Sequence, residues 1–146
     1  MKMTFGNWKR WLVNGVLVLA IFLVVTSWQG QDLASDQTPA PSFRLTALSG
    51  TPVALEDLQG RRVLFYFFAP WCKVCDLSIS NLNWVKRIRG EESVTLLAVA
   101  LSYTDLQSVE SFLERNVLDV PVLLGTPELL KSYRIRAFPT VYALNE

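Results

Sequence analysis

Cys72 and Cys75 are the only cysteines in the sequence, and only Lys73 and Val74 separate them. The pair follows an apolar, aromatic-rich run and stands at the start of a predicted helix. Unpaired backbone N–H groups and the dipole at a helix N-terminus stabilise an anion, so Cys72 should favour its thiolate. Lys73 adds a positive charge with the same effect. Cys75 lies one turn further in, where it can attack a mixed disulfide on Cys72. The spacing therefore indicates dithiol–disulfide exchange, with Cys72 attacking and Cys75 resolving.

Other roles for the two cysteines stay open at this point. A structural disulfide across two residues closes a tiny loop and restrains little chain entropy, so it would stabilise the fold weakly. Zinc sites usually need four ligands, and the sequence has no histidine and no third cysteine. Copper(I) accepts two soft thiolates, so a non-enzymatic copper carrier or assembly factor is an alternative. We expect no metal site, and no cofactor beyond the redox-active disulfide.

The periodicity of apolar residues predicts the elements that position the cysteines. The run at 62–69 is too short for a typical helix and indicates a central strand buried on both faces. The other predicted elements are a hairpin at 43–55, strands at 93–101, 120–124 and 140–144, and helices at 74–89, 106–116 and 127–133. Strands that alternate with helices imply an α/β domain with a largely parallel sheet.

Residues 11–28 form an uncharged, mostly apolar stretch of 18 residues, with a tryptophan at each end. A helix of this length spans roughly 27 Å, close to the hydrocarbon thickness of a bilayer. No clear small-x-small cleavage site follows it, which favours an uncleaved transmembrane anchor over a cleaved signal peptide. A buried soluble helix is the least favoured alternative, because it would normally show a polar face.

The charges around this stretch predict its orientation and exclude one class of partner. Three of the 14 basic residues precede it, and none follows until Arg44. The positive-inside rule therefore predicts a cytoplasmic N-terminus at 1–10, a single-pass anchor at 11–28, a polar linker at 29–42 and an external domain at 43–146. Beyond the anchor there are 11 basic and 13 acidic residues without a basic stripe, so nucleic acid is not expected as a partner.

A second feature is Phe138-Pro139-Thr140, directly before the last predicted strand. Proline cannot donate to a sheet ladder, so it suits the first position of a strand. Together with Phe68-Ala69-Pro70-Trp71-Cys72-x-x-Cys75, this tripeptide makes the chain resemble the thioredoxin superfamily. The nearest likeness, over roughly residues 40–146, is to the TlpA/ResA-type membrane-anchored disulfide reductases, which include cytochrome c maturation thioredoxins.

This resemblance implies a thioredoxin-like fold, in which helices flank a central mixed sheet. It also implies that Pro139 is cis and faces the cysteines, and that the backbone of Phe138 pairs with a substrate strand. Trp71, beside the exposed thiol, is expected to contact substrate. With Lys73 and Val74, these residues make up the predicted substrate-binding surface.

The resemblance further implies a reductase of disulfides in exported proteins. It would be re-reduced by a membrane thiol-transporting reductase, with its domain facing the periplasm or outside of a bacterial inner membrane. A disulfide oxidase or isomerase on the same fold is the alternative, because exchange chemistry alone does not fix the direction. Lys73 argues mildly for this alternative, since a stabilised thiolate makes a protein more oxidising.

The sequence also departs from the family pattern. Tyr66 occupies the place of a buried aspartate in thioredoxin, so the base that activates Cys75 is unidentified. Asp105 falls in the region where ResA-like members have a glutamate near the active site, and its role stays open. The family fold continues past the proline with two strands and a terminal helix, whereas this sequence stops at Glu146. Either the sequence is a fragment or the domain lacks an edge strand and a covering helix, and of the two we expect C-terminal truncation.

Overall fold

The computed structural model describes residues 8–30, 39–90 and 93–145. The chain forms two units, Met1–Thr38 and Pro39–Glu146. The first contains helix α1 (Trp8–Gly30), whose described side chains, at 13–24, are exposed and mostly apolar. Counting only described residues, no helix is both long and apolar enough to cross a membrane. The predicted N-terminal segment at 1–10 and linker at 29–42 lie partly outside the described residues, whereas the predicted anchor at 11–28 falls within α1.

The second unit is built on a six-stranded sheet of order β2-β1-β5-β4-β3-β6. The strands are β1 (Arg44–Ala47), β2 (Pro52–Ala54), β3 (Val63–Phe68), β4 (Thr95–Ala100), β5 (Val122–Leu124) and β6 (Thr140–Leu144). Only the pairings β3–β4 and β4–β5 are parallel, and the other three are antiparallel. The mixed sheet implied by the family resemblance is confirmed. The prediction of a largely parallel sheet is wrong, because β6 runs antiparallel to β3 and the pairings of β1 with β2 and β5 are also antiparallel.

The central position of β3 explains its run of aromatic residues. Phe65 lies opposite Leu97 of β4 on one side and Tyr142 of β6 on the other. Alternate side chains point to opposite faces of a strand, and both faces of β3 are buried. The side chains of Tyr66 and Phe68 join one core cluster, and those of Val63, Phe65 and Phe67 join the other. The predicted doubly buried strand is therefore confirmed.

The helices of this unit are α2 (Lys73–Ser78), α3 (Asn81–Arg89), α4 (Leu106–Arg115) and α5 (Pro127–Ser132), and a 3-10 turn spans Leu55–Leu58. The prediction of one helix at 74–89 is wrong, because the hydrogen-bond ladder changes between α2 and α3. There the N–H groups of Leu82 and Asn83 donate to carbonyls three residues back, at 3.0 and 3.1 Å. The Ser78 hydroxyl also donates to the Val74 carbonyl, a back-bond that often bends helices.

The two faces of the sheet carry separate cores. The first cluster includes both cysteines, with Ile79 and Leu82 next to them and Phe112 of α4. Phe112 stacks on Phe68 with ring centroids 4.8 Å apart. The second cluster is covered by α5 and the residues after it, and includes Leu129 and Tyr133. The cysteines therefore belong to a packed hydrophobic core and not to a loop apart from it.

Gly125 follows β5 at a point where the chain passes close to β4. A Cβ atom there would lie 2.5 Å from Cδ2 of Leu101 and 2.9 Å from the carbonyl oxygen of Ala100. We expect Gly125→Ala to lower the free energy of unfolding by about 1–3 kcal/mol, because the backbone oxygen cannot move aside easily. Urea denaturation of the full chain measures the effect, and the exposed Gln107→Ala should change it by less than about 0.5 kcal/mol. An unchanged free energy of unfolding in Gly125→Ala would show that the ends of β4 and β5 can move apart without loss of stability.

Candidate active site

The end of β3 and the start of α2 place Cys72 at a helix N-terminus. The backbone N–H of Cys72 donates to the Ala69 carbonyl at 3.0 Å, which closes a tight turn directly after the strand. Cys72 is the N-cap of α2 and has an extended backbone, with φ −83° and ψ 109°. Its sulfur accepts a hydrogen bond from the backbone N–H of Cys75 at 3.2 Å. The same donor would stabilise a thiolate on Cys72.

Cys72 and Cys75 are joined by a disulfide bond, with Cα atoms 5.2 Å apart. Cys72 is 7% exposed, whereas Cys75 is 0% exposed. Because Cys72 keeps a little exposed surface and Cys75 has none, an external disulfide meets Cys72 first, and Cys75 is placed to attack what is bonded to its neighbour. The geometry fits the predicted division into an attacking and a resolving thiol.

Trp71 and Phe138 lie together beside the cysteine pair. Their rings meet edge to face, with centroids 5.8 Å apart, and the Trp71 indole N–H donates to the Ser102 carbonyl at 2.8 Å. Trp71 is nevertheless 65% exposed, so a large apolar surface is held in a fixed orientation next to Cys72. The bond between Phe138 and Pro139 is cis, the form that the family resemblance implies. The structure thus joins two segments that lie far apart in the sequence.

Lys73 and Val74 occupy the first turn of α2, and both side chains are exposed. Val74 presents an apolar side chain to solvent on the helix that begins at Cys72. Phe138 is partly buried and packs against the core cluster that contains both cysteines. All the residues predicted for the site therefore lie within the cysteine turn or in the segment that contacts Trp71. An exposed rim that combines apolar groups with one cation suits a polypeptide substrate.

Two residues near the cysteines have a connection that sequence reasoning missed. The Tyr66 hydroxyl lies 2.7 Å from Oγ of Ser78, and Ser78 donates to the Val74 carbonyl at 2.7 Å. Burial raises the pKa of Tyr66 above its ordinary value, and the hydrogen bond with Ser78 opposes this to a smaller extent. Tyr66 is therefore a neutral phenol near pH 7 and not a base. The spacing of Ser78, one turn after Val74, was the only signal in the sequence.

The nearby carboxylates have structural partners. Asp105 caps α4 by accepting a hydrogen bond from the backbone N–H of Ser108 at 2.7 Å. This cap explains why an aspartate stands there without a catalytic role. Asp76, next to Cys75 in the sequence, accepts from Nδ2 of Asn116 at 2.7 Å and lies 3.8 Å from Nη2 of Arg115. Among the residues that the structure describes, no group of three or more His, Cys, Asp or Glu could hold a metal ion.

A cavity of about 330 Å³ lies beyond the carboxyl ends of β4 and β5. Its wall includes Ser102, whose carbonyl accepts the indole N–H of Trp71, together with Thr126 and Leu130. The ends of parallel strands are a common place for ligand sites in α/β folds. The cavity therefore adjoins the Trp71 surface.

Comparison with known families and proteins agrees with this geometry. The model of the AhpC/TSA family matches residues 37–146. The thioredoxin-like protein YneN of Bacillus subtilis is 28% identical, in a match covering 94% of this chain and 85% of that protein. The thiol-disulfide oxidoreductase ResA of Geobacillus kaustophilus is 32% identical over 73% of this chain, and the match spans 62% of ResA, less than two thirds of its length.

Solved structures show the same architecture. The crystal structure of StoA from Bacillus subtilis superimposes with a TM-score of 0.63 at 28% identity, covering 73% of this chain and 81% of that chain. The thioredoxin domain of a thiol-disulfide oxidoreductase from Bacteroides vulgatus superimposes with a TM-score of 0.70, covering 77% of this chain and 82% of that one. At 21% identity, the second likeness concerns the fold alone.

Proposed function

Because this chain belongs to the AhpC/TSA family, we propose that it is an extracytoplasmic thiol–disulfide oxidoreductase that reduces disulfides in exported proteins. The observation that carries the proposal is the Cys72–Cys75 disulfide at the N-terminus of α2, with the two cysteines unequally exposed. Relatives named as thiol-disulfide oxidoreductases, such as ResA and the sporulation thiol-disulfide oxidoreductase A of Bacillus subtilis, support the class of reaction.

The reaction takes place in two balanced steps. In the first, the Cys72 thiolate of the reduced protein attacks one sulfur of a substrate disulfide. A mixed disulfide forms, the substrate S–S bond breaks, and the leaving thiolate takes a proton from water. In the second, Cys75 loses its proton to water and attacks the sulfur of Cys72, which releases the second substrate thiolate, and this thiolate takes up a proton from water. The substrate gains two electrons and two protons, and the protein leaves as the Cys72–Cys75 disulfide.

The surroundings of Cys72 support binding of an extended polypeptide next to its disulfide. Trp71 offers an exposed apolar face, and its orientation is fixed by Phe138 and Ser102. The backbone of Phe138, before Pro139, would pair with a substrate strand, as the family resemblance implies. Lys73 and the N–H of Cys75 favour the thiolate that begins the reaction.

A reductase in an oxidising compartment needs a supply of electrons. We propose a membrane thiol-transporting reductase as the donor, and exported proteins with disulfides, including apocytochromes c, as the substrates. The uncharged stretch at 11–28 would be a single-pass anchor in a bacterial inner membrane, with the N-terminus in the cytoplasm. Fractionation of cells that express the full chain tests the anchor: the protein should remain with the membranes after a high-salt wash, and release by salt would contradict it.

One feature favours the alternative of a disulfide oxidase or isomerase. Lys73 and the N–H donor of Cys75 stabilise the reduced, thiolate form of the pair. A stabilised reduced form raises the reduction potential, as in the strong periplasmic oxidants. The two directions use the same residues and are separated by the potential of the couple.

Reduction of insulin tests the proposed reaction directly. In the presence of dithiothreitol, the full chain should precipitate the insulin B chain faster than dithiothreitol alone, because Cys72 reacts first and is recycled by the small dithiol. In a single turnover without dithiothreitol, each reduced molecule should lose two thiols. Precipitation at the rate of dithiothreitol alone would contradict the proposed activity.

A further inference from the structure

A line of hydrogen bonds connects Tyr66 of β3 to the sulfur of Cys72. The Tyr66 hydroxyl lies 2.7 Å from Oγ of Ser78, and Oγ of Ser78 lies 2.7 Å from the Val74 carbonyl oxygen. The Val74 carbonyl and the Cys75 N–H are the two ends of one peptide group. That N–H lies against the sulfur of Cys72, with an N–S distance of 3.2 Å. The line is therefore continuous from the core to the attacking sulfur.

The direction of the donors in this line follows from their chemistry. A carbonyl oxygen can only accept, so the single proton of the Ser78 hydroxyl goes to Val74. Ser78 can then only accept from Tyr66, whose phenol is the donor. Every bond points the same way, from Tyr66 towards Cys72. Aligned bonds polarise one another and strengthen, by roughly 10–30% per bond in condensed-phase estimates.

We propose that Tyr66 and Ser78 are positioning residues for the exchange reaction, acting through the Val74–Cys75 peptide to stabilise the Cys72 thiolate. Donation to the carbonyl polarises the amide, which makes the Cys75 N–H a stronger donor to a negative sulfur. The same contact fixes the plane of the peptide and therefore the direction of that N–H. The inference deepens the proposed function and rests on it.

Burial protects the two ends of this relay. Tyr66 is 5% exposed and Cys75 is 0% exposed, so water competes little for these groups, whereas the Ser78–Val74 bond between them is exposed to solvent. In buried surroundings hydrogen bonds are electrostatically stronger than in water. A tyrosine is ordinarily protonated near neutral pH, and burial raises the pKa of Tyr66 further above that range, so its phenol is a donor. The relay thus contributes through dipoles and without a charge.

Charged groups also face the cysteine turn, and the test must leave them unchanged. Lys73 and Asp76 belong to α2 itself. From α4, Arg115 approaches Asp76 at 3.8 Å, and the neighbouring Asn116 donates to the same carboxylate at 2.7 Å. Neither Ser78→Ala nor Tyr66→Phe alters any of these groups. A change in the reactivity of Cys72 in these variants would therefore come from the relay.

The experiment measures how fast iodoacetamide alkylates Cys72 in the reduced full chain as a function of pH. The midpoint of this pH profile is the pH at which half of Cys72 is thiolate. In Ser78→Ala, the alkylation rate at pH values below the midpoint should fall about threefold, and the midpoint should move to higher pH. Tyr66→Phe should change both in the same direction by a smaller amount. The double variant should equal Ser78→Ala, because Tyr66 acts only through Ser78. Ser78→Thr keeps a hydroxyl and should restore the original profile.

The matched control is Tyr133→Phe. The Tyr133 hydroxyl donates to the Pro41 carbonyl at 2.9 Å, and its side chain is buried in the other core cluster. This variant also loses a buried hydroxyl but should keep the original alkylation profile. An equal shift in Tyr133→Phe, or an unchanged profile in folded Ser78→Ala and Tyr66→Phe, would overturn the relay. If Tyr66→Phe does not fold, Ser78→Ala and Ser78→Thr decide alone.

Alkylation needs no disulfide substrate, so this test is independent of insulin reduction. A chain that fails to reduce insulin but shows the expected Ser78→Ala shift would lose its proposed function and keep the relay. A chain that reduces insulin with no shift in Ser78→Ala would keep the function and lose the relay.

Discussion

Cys72→Ser is expected to abolish the reduction of insulin, lowering the rate to that of dithiothreitol alone. The hydroxyl of serine does not form an anion near neutral pH, so it cannot replace the thiolate that attacks the disulfide. Cys75 cannot take over, because it is 0% exposed and lies beneath the N-cap of α2. The turbidity of precipitating insulin B chain, followed over time, measures the effect.

The variant should remain folded, so that lost activity reports on chemistry. A disulfide that spans two residues stabilises a protein weakly, because it closes a very short loop. Ser80→Ala is the matched control: its exposed side chain makes no capping hydrogen bond at the start of α3, and it should keep full activity. Full activity in Cys72→Ser would refute the assignment of the attacking thiol.

Cys75→Ser is expected to trap the reaction after its first step. Cys72 can still attack a disulfide, but no second thiol is present to release the product. A mixed disulfide with the substrate should accumulate, and dithiothreitol should cleave it by reduction. Non-reducing electrophoresis of the variant, mixed with oxidised insulin after removal of reductant, detects the adduct as a band of higher mass.

The two single variants together test the order of the cysteines. We expect the adduct in Cys75→Ser and none in Cys72→Ser. An adduct in Cys72→Ser alone would mean that Cys75 is the attacking thiol and Cys72 the resolving one. Adduct in neither variant would show that insulin does not react with this pair by exchange.

Local patterns in the sequence were sufficient for the framework of the site. The aromatic run before the cysteines predicted a doubly buried strand, and β3 (Val63–Phe68) is buried on both faces. The residues after the run predicted a helix that starts at the cysteines, and Cys72 is its N-cap. Both inferences depend on near neighbours in the chain, whose periodicity and capping chemistry can be read directly.

The contacts that complete the site join residues far apart in the sequence and could not be predicted in that way. The Trp71 indole donates to a carbonyl 31 residues later, and Asp76 accepts from an asparagine 40 residues later. Tyr66 was recognised as a replacement for an acidic residue, but its partner Ser78 was not. That pairing depends on how β3 and α2 pack together, and no periodicity reports it.

The pairing of strands was also beyond the local pattern. Alternation of strands and helices predicted a parallel sheet, yet β6 runs antiparallel to β3 and the leading hairpin adds antiparallel strands beside β5. The division of the predicted helix at Ser78 has a local cause in the back-bond to Val74. A serine in a helix forms such a bond only in some cases, so its type alone did not predict the division.

The relay from Tyr66 and the direction of electron flow are linked. Each contact that stabilises the Cys72 thiolate raises the reduction potential, whereas a reductase needs a low one. The potential depends on the stability of both redox forms, so the thiolate contacts do not decide it alone. A thiolate that reacts quickly is compatible with a reducing couple when the disulfide form is also stable.

The reduction potential of the Cys72–Cys75 couple decides between a reductase and a disulfide donor. It is measured on the full chain by equilibration with dithiothreitol or glutathione buffers of known potential, followed by alkylation of the free thiols. For the proposed reductase we expect a value near or below about −250 mV, close to that of thioredoxin. A value above about −150 mV, towards the strong periplasmic oxidants, would contradict the reductase and make the protein a disulfide donor.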